Sequence, residues 1–243
     1  MDRLRDIALV GGLVSIPVAI GVSWWVSSWY FKLPTIEYCF DEGKGDILHD
    51  RSIRDWFNNA RLSGNYLWKD RILQMEDAQA DIEHPITLGD FTIELTLTPL
   101  RDDADYAIFY LEQSRPEWRY VHILQGKSYG NVLVMRIYTG KPYPISRVTT
   151  ETRIERGRRL HVAFTRKVGE YVAVYREEGG IWYLEGMEKD ESPLPVSGRA
   201  RLGWDHWLPP LGGHNRSFHI WENFKIYPYI TIEVPTVESK TEY

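Results

Sequence analysis

The chain is predicted to be an antiparallel two-sheet β-sandwich carried behind a single transmembrane α-helix. Three observations predict it. Ile7 to Phe31 runs without a charged residue. From residue 32 onward, short runs alternate apolar and polar residues at every second position, with Gly, Asp or Pro between them. Aromatic residues make up 14% of the chain, with ten Trp and fifteen Tyr, and large flat side chains suit pleated surfaces.

The helix comes first. After a short flank at 1–6, residues 7–31 would extend about 37 Å at 1.5 Å per residue, enough to cross a bilayer with tilt. Trp24, Trp25, Trp29 and Tyr30 crowd its end, where an aromatic belt meets lipid headgroups. No A-x-A site follows the apolar run, so an uncleaved anchor is expected. Arg3, Arg5 and the amino terminus on one side outweigh Lys32 on the other. This puts the N-terminus in the cytoplasm and the sandwich outside, or on a virion membrane surface. Gly11, Ser15, Ala19, Ser23 and Ser27 recur every fourth residue, a ridge of small side chains on which a neighbouring helix can pack closely. Pro17 is expected to kink the helix mid-span.

The sandwich should occupy 32–234, with 235–243 a polar tail. "TIEYCF" (35–40) reads as the first strand, with Cys39 a small buried hydrophobe between Tyr38 and Phe40. "RILQME" (71–76) is a second. In "FTIELTLTP" (91–99), Phe91, Ile93, Leu95 and Leu97 alternate with Thr92, Glu94, Thr96 and Thr98, the pattern of a half-buried strand. "DYAIFYLEQ", "WRYVHILQG" and "NVLVMRIYTG" follow. "RLHVAFTRK" and "YVAVYREEGG" flank Val168-Gly169 and form a hairpin. There Leu160, Val162 and Phe164 point inward, while Arg159, His161, Ala163 and Thr165 take the opposite face, with His161 a hydrogen-bonded structural residue. "RARLGW" and "SFHIWENFKIYPYITIEV" close the domain, with Asn223 marking a bulge or register change. About a dozen strands and no long helix are expected beyond residue 32.

With 34 acidic and 29 basic residues, a net charge of −5, the chain has no polyanion-binding signature, which argues against nucleic acid. One cysteine rules out an intrachain disulfide and a multi-cysteine metal site.

Five segments together resemble the concanavalin A-like, laminin-G-like jelly-roll domains. They are "YCFDEGKGDILHDRS" (38–52), "ILQMEDAQADIEHP", "LGDFTIELTLTP", "RRLHVAFTR" and "FHIWENFKIYPYI", in the family's order across residues 35–232. The resemblance implies an antiparallel jelly-roll sandwich that binds carbohydrate or protein, often with calcium at its rim. Three positions depart from the family. Leu160 stands where it has Trp, Asp77-Ala78 lacks its hairpin glycine, and Trp221-Glu222-Asn223 replaces Ile-Asp-Glu.

Asp41, Glu42, Asp46 and Asp50 supply hard oxygen near the first turn, and Asp41 and Asp50 are candidate calcium ligands; no other cofactor is expected. No E-x-D-x-x-E strand, Ser-His-Asp context, phosphate loop or HExxH occurs, so no enzyme is expected. "GWDHWLPPLGGHNRS" (203–217) is the most unusual loop. Its Trp204, Asp205, His206 and Trp207, with Trp56 and Phe57 in a second loop, are candidates for contacting a glycan or a protein partner. Asn215 is a candidate glycosylation acceptor.

Two functions fit this inventory. One is a membrane-anchored structural subunit whose helix packs among other membrane-protein subunits or copies of itself. The other is a membrane-tethered lectin-like or adhesion module. The short link from Lys32 to Thr35 holds the sandwich against the membrane and favours the first.

Overall fold

A computed structural model describes residues 33–52, 58–69, 72–114, 116–204 and 216–232. The expected transmembrane helix at 7–31, its small-residue ridge at Gly11, Ser15, Ala19, Ser23 and Ser27, and the tail at 235–243 lie outside the described residues. Among the described residues, no helix is long and apolar enough to cross a membrane.

The described chain is all-β apart from one short 3-10 turn, Lys127–Tyr129. Its strands are β1 (Ile36–Tyr38), β2 (Ile47–Leu48), β3 (Ala60–Lys69), β4 (Ile72–Ile82), β5 (Ile86–Leu88), β6 (Phe91–Pro99), β7 (Tyr106–Gln113) and β8 (Arg119–Gly126). They continue as β9 (Val132–Tyr138), β10 (Ser146–Thr149), β11 (Leu160–Lys167), β12 (Tyr171–Glu178), β13 (Ile181–Lys189), β14 (Val196–Leu202) and β15 (Ser217–Tyr227). Hydrogen bonding runs in the order β10-β9-β8-β7-β14-β4-β15-β6-β11-β12-β13, with β1 on β15, β2 and β3 extending from β4, and β5 on β14.

The sheet doubles over on itself. Strands β4, β14 and β7–β10 form one half, β15, β6 and β11–β13 the other, and the main apolar core draws on both. The end strands β10 and β13 come back together, so the sandwich is nearly a closed barrel. At that seam Gly186 is required by space, since a Cβ there would stand 2.5 Å from the Thr149 carbonyl oxygen.

The inward alternation is as expected: Phe91, Ile93, Leu95, Leu97, Leu160, Val162 and Phe164 are all buried. The outward side of these strands is not open, however. Thr92, Thr96, Ala163 and Thr165 are buried too. Small residues on central strands disappear beneath larger neighbours: Thr92 donates to the Tyr229 carbonyl and accepts from the Thr231 amide, and Ala163 lies opposite Tyr175.

Three local expectations change. The first strand stops at Tyr38, because Phe40 turns at φ 52 to reach the core, and Cys39 is left half-buried rather than in the interior. Asp77-Ala78, where the family's hairpin glycine is missing, lies within one long strand, β4, as a bulge. Asp77 adopts φ 64 in place of the missing glycine, and it is skipped in the ladder with β15. Across from it Gly64 (φ 94) has no room for a Cβ, which would meet the Asp77 carbonyl oxygen at 2.5 Å. Strands β2, β3, β5, β10 and β13 were not separable by pattern. Most are short, or lie at an edge with exposed apolar residues such as Ile181, Leu184 and Met187. The register change at Asn223 is present, with Glu222 bulged against β6.

A buried polar tie holds the seam. Asp190, just past β13, accepts from Arg166 Nε of β11 (2.9 Å), Ser146 Oγ of β10 (2.7 Å), and the amides of Gly169 and Ser192 (both 3.0 Å). Arg166 also donates to the Ser192 carbonyl, and Ser192 Oγ donates to the carbonyls of Ile137 and Pro144. Both charged side chains are fully buried. Burial pulls the Arg166 guanidinium below its usual pKa, and Asp190 opposes that shift.

Removing one partner of a buried, hydrogen-bonded ion pair strands the other charge and costs roughly 3–5 kcal/mol. Asp190→Ala is expected to lower the unfolding free energy by about that amount in urea denaturation. Arg166→Ala should then cost much less in the Asp190→Ala background than alone. Additive losses would show that the two residues do not act as a pair.

Candidate functional site

On the face of the first half turned away from the core, the register sets side chains in rows across the strands. One row runs Arg147–Arg136–His122–Tyr110–Arg201–Asp81, each directly opposite the next on β10, β9, β8, β7, β14 and β4. A second, two residues along, runs Tyr138–Tyr120–Glu112–Arg199. These residues alternate with Met135, Ile137, Val121, Ile123, Phe109 and Leu111, which fill the core.

The rows carry a chain of aromatic rings. Trp118, at the entry to β8, lies 4.9 Å from Tyr120 and 5.9 Å from Tyr138, centroid to centroid. Tyr120 stacks on Tyr110 at 6.2 Å, and Tyr110 meets Trp204 edge-on at 6.0 Å. His122 stands edge-on to Tyr110 at 5.4 Å. Tyr110, Tyr120 and His122 form a buried floor, while Trp118, Tyr138 and Trp204 keep partial exposure at the rim. Four strands spaced about 4.8 Å apart give the run a length of roughly 15 Å.

Polar groups fix its ends. Trp118 Nε1 donates to Glu112 Oε1 at 3.1 Å. Arg201 donates to Asp81 at 2.6 Å while its guanidinium lies 4.1 Å from the Trp204 ring centre, a geometry that holds the indole by cation–π attraction. Beside Tyr110 and Glu112 a cleft of 510 Å³ opens, walled by Gln113, Ser197, Arg199 and Arg201. Strand β14 closes tightly on β7 there, for a Cβ on Gly198 would overlap the Glu112 carbonyl.

Of the residues singled out in the sequence, Trp204 belongs to this surface. It sits on the outer face rather than capping the core. Asp205, His206, Trp207, Asn215, Trp56 and Phe57 lie outside the described residues. Tyr110, Trp118, Tyr120 and Tyr138 were missed. For the first three the signal was present in "YAIFYLEQ" and "WRYVHILQ", where the face opposite the core carries Trp, Tyr and His instead of ordinary polar residues; Tyr138 lies in "NVLVMRIYTG".

The first-turn carboxylates serve the turn itself. Asp41 pairs with Arg51 at 2.5 Å, Glu42 accepts from the His49 amide, Asp46 faces Arg61, and Asp50 accepts from the amides of Glu37 and Ser52. Among the described residues, no three His, Cys, Asp or Glu are arranged to hold a metal.

A second polar constellation lies on the outer face of the other half. His161 Nε2 is 2.9 Å from Glu94 Oε1 and Nδ1 is 3.2 Å from Glu177 Oε2, so one imidazole bridges β6 and β12. Trp182 packs edge-on against it at 4.9 Å, and the Tyr227 hydroxyl faces Glu94 Oε2 at 3.5 Å. Glu94, then Glu177, stabilises the imidazolium and raises its pKa against partial burial. Glu177 is in turn lowered, first by the Gly180 amide and then by His161. This is the hydrogen-bonded structural histidine expected from the sequence.

No family model matches the chain, and no curated protein matches it. Solved structures do. Domain 4 of AbnA, a GH43 extracellular arabinanase from Geobacillus stearothermophilus, in complex with arabinotriose, is 16% identical over 81% of this chain and 92% of its own, with a TM-score of 0.57. Trypanosoma rangeli sialidase in complex with sialic acid is 13% identical over 80% of this chain, with a TM-score of 0.51; the match spans 30% of the sialidase. The likeness is one of fold. It agrees with the concanavalin A-like jelly roll that the five segments resemble.

His161 generates a pH dependence. Its folded pKa is raised, so its stabilisation is complete below the usual histidine value of 6.5 and is lost as pH rises through the folded value. Thermal melts should therefore show stability falling across that window, and His161→Gln should flatten this part of the profile. An unchanged profile in the variant would remove His161 as its source.

Proposed function

We propose that this domain is a glycan-binding module that binds without catalysis, and that residues 7–31 tether it to a membrane. The observation that carries the proposal is the run of rings from Trp118 and Tyr138 to Trp204, on rigid strands and partly exposed at its rim. Sugar rings present flat C–H faces that stack on indole and phenol rings, while their hydroxyls need a few fixed polar groups alongside. Glu112, Gln113, Ser197 and Arg199 stand in the adjoining cleft to meet them.

The fold supports the reading, since two solved proteins that share it were determined with arabinotriose and with sialic acid. The lectin-like reading therefore ranks ahead of an assembly subunit. Binding rather than hydrolysis is favoured by the carboxylates of this face. Glycoside cleavage uses two carboxyl groups flanking one bond. Here Glu112 is the lone acid of its row, and Asp81 is held by Arg201.

Rim aromatics that anchor a ligand cost about 2 kcal/mol or more when truncated, which is roughly thirtyfold in affinity. Trp118→Ala and Trp204→Ala are expected to lose at least tenfold in calorimetric titrations with the best ligand from a glycan array, while Trp118→Phe keeps most of the affinity. Binding that survives both alanine variants would move the site elsewhere; no binding across the array would end the proposal.

A further inference from the structure

Two arginines at the seam end of this surface have no counter-ion among the described residues. Arg147 of β10 and Arg136 of β9 are direct cross-strand partners. They lie about 5 Å apart at the backbone, where like charges destabilise a sheet. Among the described residues, no carboxylate comes within the 4.0 Å ion-pairing distance of either. Arg147 rests 5.6 Å over the Tyr129 ring, which orients its guanidinium but leaves its charge unbalanced.

Both line a cleft of 740 Å³ between β10 and β13. Its acids are Glu151, Glu185, Glu188 and Glu191. Glu185 is occupied by Thr152 and Arg176, and Glu191 by Lys189. Glu151 and Glu188 stand beyond ion-pairing distance of the two arginines.

Arg136 places this cleft next to the aromatic face, because β9 carries both. Arg136 is two residues from Tyr138 on β9, on the same side, about 7 Å along the strand. A substituent of a chain stacked on Trp118 and Tyr138 would meet Arg136 first, with Arg147 directly across the strand pair. Guanidinium groups bind planar oxyanions through paired N–H donors, and two of them converging on one anion would also relieve their mutual repulsion.

We propose that Arg136 and Arg147 form an anion subsite, and that the glycan this module takes is acidic, carrying a carboxylate or a sulfate ester. This rests on the glycan-binding reading and narrows it.

The test is titration of the full chain in detergent with D-glucuronate, D-glucose 6-sulfate and D-glucose, following the arginine side-chain Nε–Hε signals by NMR. Arg136→Gln and Arg147→Gln assign the signals and test the site, and Lys44→Gln, exposed in the turn before β2, controls for net charge. The acidic sugars are expected to move both signals saturably and glucose is not. Each site variant should weaken acidic-sugar binding at least tenfold, the control should not, and Arg147→Gln should raise the melting temperature of the ligand-free chain. Whichever acid binds tighter identifies the carboxylate or the sulfate source. Equal response to glucose and glucuronate, or unchanged glucuronate affinity in both variants, overturns the subsite. Neither result depends on Trp118→Ala and Trp204→Ala, which test glycan stacking by themselves.

Discussion

Everything in this molecule depends on closing a long sheet upon itself where β10 meets β13, and that closure rests on Asp190. A sheet that wraps this far must bring together two edges that do not share a ladder. Here a buried carboxylate gathers Arg166 from β11, Ser146 from β10, the Gly169 amide of the β11–β12 turn and the Ser192 amide past β13. Desolvating a carboxylate and a guanidinium is expensive, and a well-packed apolar pair often stabilises as much. What the ion pair adds is direction, because an apolar contact could slide along the seam. Asp190 admits one register, and Gly186 against Thr149 shows how little slack remains.

Fixing the seam fixes the outer face. Once β7–β10 and β14 are held with their core residues inward, their alternate residues stand in rows, and the rings from Trp118 to Trp204 follow from register alone. A surface built this way is preorganised. Its floor rings are already buried, Trp204 is held under Arg201, and Trp118 is held by Glu112, so little ordering remains for a ligand to impose. The other half spends its outward polar groups differently. Glu94 and Glu177 share His161 there, whereas Arg136 and Arg147 have no carboxylate partner among the described residues.

The sequence exposed what depends on local period and hid what depends on register. Phe91 to Leu97 and Leu160 to Phe164 declared their inward faces through alternation. β13 did not, because its outer positions carry Ile181, Tyr183 and Met187 as an exposed edge. The absence of the family's glycine at Asp77 has a related reading: an aspartate can occupy the left-handed region as a single bulged residue, so the strand bends and continues. Trp204 drew notice because its loop is odd in composition. Tyr110, Trp118 and Tyr138 did not, because they come from three separate segments that only the register brings together. Arg136 and Arg147, eleven positions apart in sequence, become a pair only through the β9–β10 register.

The overall charge constrains which acidic ligands the proposed subsite could hold. The chain carries a net −5, so its long-range field repels a densely charged polymer. Attraction by the arginine pair is confined to roughly one Debye length, about 8 Å at physiological ionic strength. A polyanion would meet the repulsion at many points and the attraction at one. A mostly neutral chain with an occasional acidic substituent meets the attraction where the aromatic rings have already placed it. The geometry therefore fits recognition in which stacking supplies the affinity and a single anionic group supplies the choice among neutral look-alikes.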